Sequence, residues 1–413
     1  MKLVYSLIIH LYGLIVRLVA FFGNNKAKLW ITGRKNWRNQ LVTLTEQKHR
    51  WVWFHCASLG EFEQGRPLIE KYKQHHPDLR ILLTFFSPSG YEIKKNYSGA
   101  DAVMYVPLDT VSNATDFVKI LQPEKVFFIK YEFWFNFLIA LNERKIPVYL
   151  ISTIFREHQW FFRPVAGSFL NQLRLVMHFF VQDENSANIL KSKGVNQITV
   201  SGDTRFDRVI SISQNHFSLE AIENWIKDAF VIVAGSTWEP DEEILLDYLK
   251  KDITVCKLIL VPHEVDHHHI DQLKNNLSKM KLLQRAQFLS ASENTIDQHS
   301  DILVIDRIGL LSGLYQYATI AYIGGGLGTG IHNTLEAAVY GKPVIFGPNY
   351  QKFKEAKELI NVGAAKSFKN KKEFEIIIED LSLNEHLIDQ AGRAAKKYVS
   401  DHAGATDAIL KKL

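Results

Sequence analysis

The chain reads as an α/β protein with two parallel sheets. Short apolar runs rich in β-branched and aromatic residues alternate with helical patterns, and they do so in two successive series. Strands buried on both faces, as in helix-covered parallel sheets, read as such continuous runs. A polar helical stretch after Arg208, through Lys227, separates the series. A chain of 413 residues also exceeds what one core usually organises, so two domains are expected.

The first element is apolar from Leu3 to Phe22, broken only by Ser6, His10 and Arg17. About 20 such residues suffice to span a bilayer, and Arg17 equally suits a helix lying at the interface. Lys26, Lys28, Arg34, Lys35 and Arg38 follow directly, as a cytoplasmic flank attracted to anionic headgroups would. No A-x-A-like cleavage site follows Phe22, which disfavours a removed signal peptide. Residues 1–25 are thus expected to be an anchor that leaves the rest in the cytoplasm. The only cysteines, Cys56 and Cys256, are far apart, which fits a reducing compartment and no disulfide framework.

Strands are expected at Trp51–Cys56, Ile81–Phe85, Ala102–Val106, Val126–Ile129, Val148–Ile151, Val176–Val181 and Ile198–Ser201. The second series comprises Phe230–Ala234, Leu258–Val261, Ile302–Ile305, Ile320–Ile323 and Val344–Phe346. The division places one domain at 26–212 and the other at 213–413, packed closely with a cleft between them. Ligands of such sheets sit beyond the carboxyl ends of strands, so the chemistry-bearing residues are sought there.

After the first strand comes HCASLGEFE, where Glu61 or Glu63 can serve as a general base or simply favour the start of a helix for which Ser58 is the better cap. After the fourth, IKYEFWFN sets Glu132 among aromatic residues that lower the local dielectric. Arg205, in GDTRFD after the seventh, can pair with a carboxylate or stabilise a departing phosphate. In the second series GSTWE and Pro262-His263-Glu264 end strands. His267, His268 and His269 with His263 suggest a metal only weakly, since no acidic or thiolate ligand pattern accompanies them.

The segment IGGGLGTGIHNTLEAAVYGKPVIFGP, Ile323 to Pro348, is a strand, a glycine-rich turn, a short helix opening at Asn333 and another strand. Its glycines let a ligand approach main-chain N–H groups, and the helix start adds a positive end. Ile331 and His332 follow Gly330, where a triphosphate loop needs Lys and Ser/Thr, and the next strand ends in Phe346-Gly347-Pro348 without the acidic ribose residue of a dinucleotide fold. A nucleotide-sugar or other monoester phosphate remains. Asn333 with Glu336 is also a capping-box pattern, and both uses can hold together.

Taken in order, these segments resemble the 3-deoxy-D-manno-octulosonic acid (Kdo) transferases, inverting glycosyltransferases of GT-B architecture. HCASLGEFE is similar to the family's H-x-x-S-x-G-E, FFSPSGYE to its Thr-Pro-Thr-Gly loop, and IKYEFWFN to E-T-E-x-W-P-N. GDTRFD is similar to G-x-x-K-F-D, GSTWEPDEE to G-S-T-H-x-x-E-E, and HNTLEAAVYGKPVIFGP to H-N-x-x-E-x-A-x-x-G-x-P-V-x-x-G-P. The resemblance implies a GT-B fold, two Rossmann-like domains with parallel sheets facing an interdomain cleft, plus an N-terminal membrane-associated helix at the cytoplasmic face of the inner membrane. It implies Glu61 as general base, with Glu132 and Arg205 stabilising the transition state. Nucleotide contacts would fall on Pro262, His263, Ile308, Gly309, Leu310, Asn333, Thr334, Leu335 and Glu336. Partners would be the donor CMP-Kdo, a lipid A precursor as acceptor and an anionic lipid surface, with no nucleic acid, no cofactor and no metal.

Three departures stand out. Lys130 replaces the first Glu of E-T-E, Phe135 replaces its Pro, and P-R-H-P-E-R reads here Pro262-His263-Glu264-Val265-Asp266-His267, so that a His stands where Arg would meet the phosphate. The implied reaction is one inverting displacement in which Glu61 deprotonates an acceptor hydroxyl and CMP departs. The alternatives are another GT-B enzyme using a UDP-sugar, transferase or epimerase, and a non-enzymatic membrane adaptor with a relic nucleotide fold.

Overall fold

The computed structural model describes all residues except 1, 163–166, 216, 252–255, 290–295 and 308. Two compact units form, Met1–Arg208 with Ala403–Leu413, and Val209–His402. The division expected at 212/213 falls inside the helix Thr204–Gln214, and the last eleven residues pack on the first unit. There Asp207 accepts hydrogen bonds from the amides of Gly404 and Thr406, both at 2.6 Å, and Ile409 is fully buried.

The first unit is a seven-stranded parallel sheet. Its strands are β1 (Trp51–Cys56), β2 (Arg80–Phe85), β3 (Ala102–Tyr105), β4 (Lys125–Ile129), β5 (Val148–Thr153), β6 (His178–Val181) and β7 (Ile198–Val200), ordered β3-β2-β1-β4-β5-β6-β7. Every residue of β1 is buried. Its side chains alternate: Trp53 packs on Phe117, Phe128 and Phe137 on one face, while Phe54 stacks on Phe127 and meets Tyr72 edge-on on the other. The chain winds outward from β1 in one direction and from β4 in the other. The switch point, where such sheets bind ligands, lies at the carboxyl ends of these two strands.

The second unit is built the same way. Its strands β8 (Phe230–Thr237), β9 (Cys256–Pro262), β10 (Ala286–Leu289), β11 (Ile302–Ile305), β12 (Ile320–Ile323), β13 (Val344–Phe346) and β14 (Ala365–Ser367) run parallel in the order β10-β11-β9-β8-β12-β13-β14. Its switch point lies between β8 and β12. The two edge strands, β10 and β14, were not expected from the sequence; they are short and only partly buried, so no apolar run marks them.

A single apolar helix, Lys2–Phe21, lies on the first unit. Tyr5 Oη donates to Asp109 Oδ2 at 2.6 Å, its ring packs on Phe135 with centroids 4.6 Å apart, and Ile9 is buried beside it. At Gly13 a Cβ would come within 2.9 Å of Leu108 Cδ2, so the glycine sets the closeness of approach. The other side exposes Leu7, Leu11, Leu14, Leu18, Phe21 and Phe22. Asp109 also accepts from the amides of Asn136 (3.1 Å) and Phe137 (3.0 Å). Burial nevertheless raises its carboxyl to about 6.

The basic flank is not uniformly a surface feature. Arg34 is buried, donating to the carbonyls of Trp30 (2.9 Å), Val106 (2.9 Å) and Phe86 (2.6 Å), with its guanidinium over the rings of Trp30, Phe86 and Tyr105. Burial lowers it to about 9, which leaves it charged at neutral pH. Arg38 pairs with Asp116 at 2.7 Å. The charge available to a lipid surface is correspondingly smaller than the sequence suggests.

The docking of the first helix is testable through Tyr5. Tyr5→Phe removes a hydrogen bond to a buried carboxylate and is expected to destabilise the first unit by about 1.5–3 kcal/mol in urea denaturation. An unchanged midpoint would mean that the helix does not rest there.

Candidate functional site

In the first unit the turns after β1 and β4 are neighbours. Ser58 is the N-cap residue of the helix Leu59–His75, yet its hydroxyl donates to the Glu61 carboxylate instead of capping a backbone amide. Lys130 Nζ lies 3.6 Å from the other oxygen of Glu61. Lys130 holds a left-handed backbone, φ 68°, immediately after β4, a conformation that costs energy in a residue with a side chain. Glu63, the competing carboxylate, is engaged by Arg208 (2.8 Å), Lys94 (3.3 Å) and Arg66 (3.9 Å). The two acids that the sequence leaves equivalent therefore separate: Glu63 is a structural ion-pair hub, and Glu61 is the one beside a single lysine and a hydroxyl.

Glu132 Oε2 stands 3.4 Å from His55 Nε2. His55 is wholly buried, with Nδ1 2.8 Å from Thr84 Oγ1, while Nε2, on the side of Glu132, forms no hydrogen bond. Cys56, the last residue of β1, is buried close enough to both acids to feel their charge. Burial, then the charges of Glu61, Glu132 and Glu63, push its thiol up, so it is an inert core residue and not a nucleophile.

Arg205 makes an ion pair with Asp203, Nε and a terminal nitrogen both 2.8 Å from Oδ2. The same aspartate accepts from Gln64 Nε2 at 2.9 Å, and Thr204 Oγ1 donates to the carbonyl of Gln64 at 2.5 Å. Gln64 belongs to the helix that carries Glu61. Although β7 is the sheet edge, three strands from β4, these bonds tie the Arg205 turn back to the Glu61 helix.

In the second unit the glycine-rich turn is shaped mainly by packing. A Cβ on Gly324 would fall 2.2 Å from the Ser236 carbonyl oxygen, and one on Gly326 would fall 2.6 Å from the Gly347 amide nitrogen. Gly325 and Gly330 have φ of 88° and 131°. Gly328 alone of the five is exposed, and a Cβ there would meet only the Gly325 carbonyl oxygen at an ordinary 3.8 Å. Most of these glycines thus serve backbone contacts between strand ends, and the turn leaves the amides of Leu327 and Thr329 without acceptors among the described residues.

Beneath the turn lies Asp241, fully buried, a residue the sequence reading did not single out. It accepts from the Gly325 amide (2.8 Å), the Trp238 amide (3.0 Å) and Tyr322 Oη (2.7 Å). Burial raises its carboxyl, and the three donors counter that shift. Acids at the start of the helix Glu239–Leu249 look in sequence like ordinary first-turn acids, so only the fold distinguishes this one.

Three rings stack at the same strand ends. His263 lies 4.7 Å from Trp238 and 4.3 Å from His332, and Trp238 Nε1 donates to His332 Nε2 at 3.2 Å. That bond places the proton of neutral His332 on Nδ1. Burial, then His263, lowers His332 to about 4. The stack brings His263, directly after Pro262 at the end of β9, to the segment that continues into Asn333.

Glu336 accepts from Ser312 Oγ at 2.7 Å and Asn333 Nδ2 at 2.9 Å. Ser312, two residues past the expected segment 308–310, is thereby bonded directly to the expected segment 333–336. Gly309 has φ 95° with open space around it, and Leu310 precedes the helix Leu311–Leu314. Ile308 lies outside the described residues. Thr334 and Leu335 are buried, so their side chains belong to the core. The helix expected from Asn333 is one turn, Leu335–Ala338, and too short for its end to hold a phosphate; this corrects the sequence reading. Asn333 Oδ1 accepts from the Leu335 amide, two residues on, so Asn333 and Glu336 meet side chain to side chain rather than as the pattern suggested.

The histidine run starts the helix His267–Lys279. His269 Nε2 meets buried Glu242 Oε1 at 2.9 Å, and Glu242 also accepts from Thr237 Oγ1 at 3.1 Å. His263, turned into the ring stack, is engaged elsewhere.

Residues 35–208 match the family model described as 3-deoxy-D-manno-octulosonic-acid transferase (Kdo transferase). A 3-deoxy-D-manno-octulosonic acid transferase of Aquifex aeolicus is 29% identical over 79% of this chain and 84% of its own length. A bifunctional glycosyltransferase/methyltransferase of Fusobacterium nucleatum is 28% identical over 80% of this chain; the chain spans about half of that relative, 52%. Among solved structures, UDP-GlcNAc 2-epimerase from Neisseria meningitidis bound to UDP-GlcNAc superposes with a TM-score of 0.61 at 16% identity, covering 87% of this chain and 98% of that one. The chain has the GT-B fold of glycosyltransferases and sugar-nucleotide epimerases, and in sequence it is related to the Kdo transferases.

The ring stack carries a pH signature. His332 stays neutral as pH falls past about 6.5, the ordinary imidazole value, so the unfolded chain takes up a proton that the folded one refuses. Stability of the second unit is expected to drop as pH falls from about 6.5 toward 4, and His332→Gln is expected to remove that component. Urea midpoints across this range check it; identical pH dependence in the two proteins would show that His332 is not held neutral.

Proposed function

We propose that the chain transfers Kdo from CMP-Kdo to a lipid A precursor with inversion, in lipopolysaccharide core biosynthesis. The observation that carries this reading is the position of Glu61 at the first unit's switch point, apart from the ion-pair hub of Glu63. It matches the general base that the motif resemblance assigns. The sequence relation to Kdo transferases along most of the chain supports the same donor.

In this reading Glu61 takes the proton of an acceptor hydroxyl as its oxygen bonds to the anomeric carbon of Kdo. The bond from that carbon to the CMP phosphate oxygen breaks, and CMP leaves with the electron pair through an oxocarbenium-like transition state. Lys130, beside Glu61, offers a positive charge to the carboxylate of the sugar, which suits an anionic donor. Glu132 adds negative charge where cationic character develops. Arg205, released in part from Asp203, stabilises the departing phosphate.

The nucleotide falls to the second unit. Leu327 and Thr329 amides suit a single phosphate, and the Asn333 and Glu336 side chains suit ribose hydroxyls. His263 replaces a fixed charge by an imidazole held in a stack, so it contributes shape and a hydrogen bond more than charge.

The helix Lys2–Phe21 would seat the enzyme on the cytoplasmic face of the inner membrane. Because Tyr5, Ile9 and Gly13 are committed to the first unit, it suits an interfacial position with its exposed apolar side in the bilayer.

Incubating the full chain with CMP-Kdo and a lipid A precursor is expected to release CMP and yield a lipid heavier by Kdo in mass spectrometry. Glu61→Ala is expected to slow this at least about a hundredfold, the usual share of a positioned base. UDP release from a UDP-sugar, with none of CMP from CMP-Kdo, would assign the chain to the other GT-B chemistry.

A further inference from the structure

The first unit contains a second cavity-lined cluster that the transfer chemistry does not use. A hollow of about 400 Å³ lies between the N-terminal helix, the turn after the helix Asn25–Thr32 and the segment around Leu108. That volume is within the roughly 300–1,000 Å³ of small-molecule sites. Its walls include His10, Arg17, Lys35, Trp30, Trp37 and Asn113.

Helical spacing explains how the wall forms. His10, Gly13 and Arg17 recur at intervals of three and four, so they share one face of the helix Lys2–Phe21. The missing side chain at Gly13 lets the helix approach Leu108, and the polar side chains above and below it border the hollow. His10 Nδ1 is bonded to the Ser6 carbonyl at 2.6 Å, which leaves Nε2 as its free ring nitrogen. Leu7, Leu11, Leu14 and Leu18 form the adjoining exposed stripe.

The charge in this hollow is unbalanced. Arg17 and Lys35 have no ion-pair partner among the described residues. The nearby acids are occupied: Asp116 pairs with Arg38, and Asp109 is buried against Tyr5 and two amides. Arg34, the third cation on the wall, spends its donors on backbone carbonyls and stays to the rear as fixed positive charge. Two uncompensated cations over a buried third, bordered by indoles and an exposed leucine stripe, fit an anion with apolar chains attached.

We propose that this hollow binds the phosphate of an anionic glycerophospholipid. Its glycerol would lie against Trp30 and Trp37, and its acyl chains would run along the Leu7–Leu18 stripe. The first helix then does more than add apolar area to a membrane contact. It contributes half of a headgroup site and sets how deep the first unit sits. No step of sugar transfer enters this inference.

The test is vesicle binding by the full chain without any donor. Phosphatidylcholine vesicles with and without phosphatidylglycerol are compared for the wild type, for Arg17→Gln with Lys35→Gln, and for Lys26→Gln with Lys28→Gln. The cavity variant is expected to lose roughly 20-fold in affinity for phosphatidylglycerol vesicles, the effect of two cations at the surface, and nothing on phosphatidylcholine. The control variant is expected to lose less than about threefold, its charges being screened from the bound phosphate. Equal losses in the two variants would mean diffuse attraction and overturn the site. Inorganic phosphate that blocks phosphatidylglycerol binding at constant ionic strength would make it a free-anion site and overturn the lipid assignment. Because sugar transfer is read separately through CMP release, either result leaves the transferase reading to its own test.

Discussion

A carboxylate out of reach of water, that of Asp241, holds the second unit's ligand-binding edge together. Its three donors come from two neighbouring strand ends: the Tyr322 hydroxyl within β12 and the Gly325 amide after it, and the Trp238 amide after β8. A buried charge is tolerable only with such compensation, and losing one partner would leave the remainder costly. From this point the geometry follows in sequence. The Trp238 backbone is fixed, so its indole can stack on His263 and donate to His332. Glu242, the residue after Asp241, is positioned to hold Thr237 and His269. The glycines above the carboxylate let backbones meet at distances that a Cβ would forbid.

The first unit uses buried acids in the same way. Asp109 joins the N-terminal helix to the start of the helix Phe135–Glu143, just past Glu132. Asp203 joins the Arg205 turn to the Glu61 helix through Gln64. Glu63 gathers three cations. Against these committed carboxylates Glu61 is distinguished by what surrounds it: one hydroxyl and one lysine at 3.6 Å, at the point where the strand order reverses. The structural acids tie the turns down, which suits the base role proposed for Glu61.

Most of the fold was legible because strands buried on both faces announce themselves as unbroken apolar runs. The exceptions have physical causes. Strands β10 and β14 lie at sheet edges and are half solvated, so their sequences lack that signature. The helix after the glycine-rich turn is shorter than its alanine-rich sequence suggests, because the chain reaches β13 after only a few residues. Arg34 looked like surface charge, since its aromatic enclosure is assembled from Trp30, Phe86 and Tyr105, far apart along the chain. At the site, the residue types after the first strand left Glu61 and Glu63 alike, the motif resemblance pointed to Glu61, and the geometry shows Glu63 taken up by three cations. Asp241 and the ring stack were invisible because their meaning lies in which strand ends become neighbours.

In the proposed reading the turn held by Asp241 receives a nucleoside monophosphate. Calorimetric titration of the full chain with CMP and with UDP tests it most directly, in the wild type and in Asp241→Asn. CMP is expected to bind at least about tenfold more tightly than UDP, a difference of about 1.4 kcal/mol, and to weaken in the variant. Tighter binding of UDP, or CMP affinity indifferent to Asp241, would contradict it.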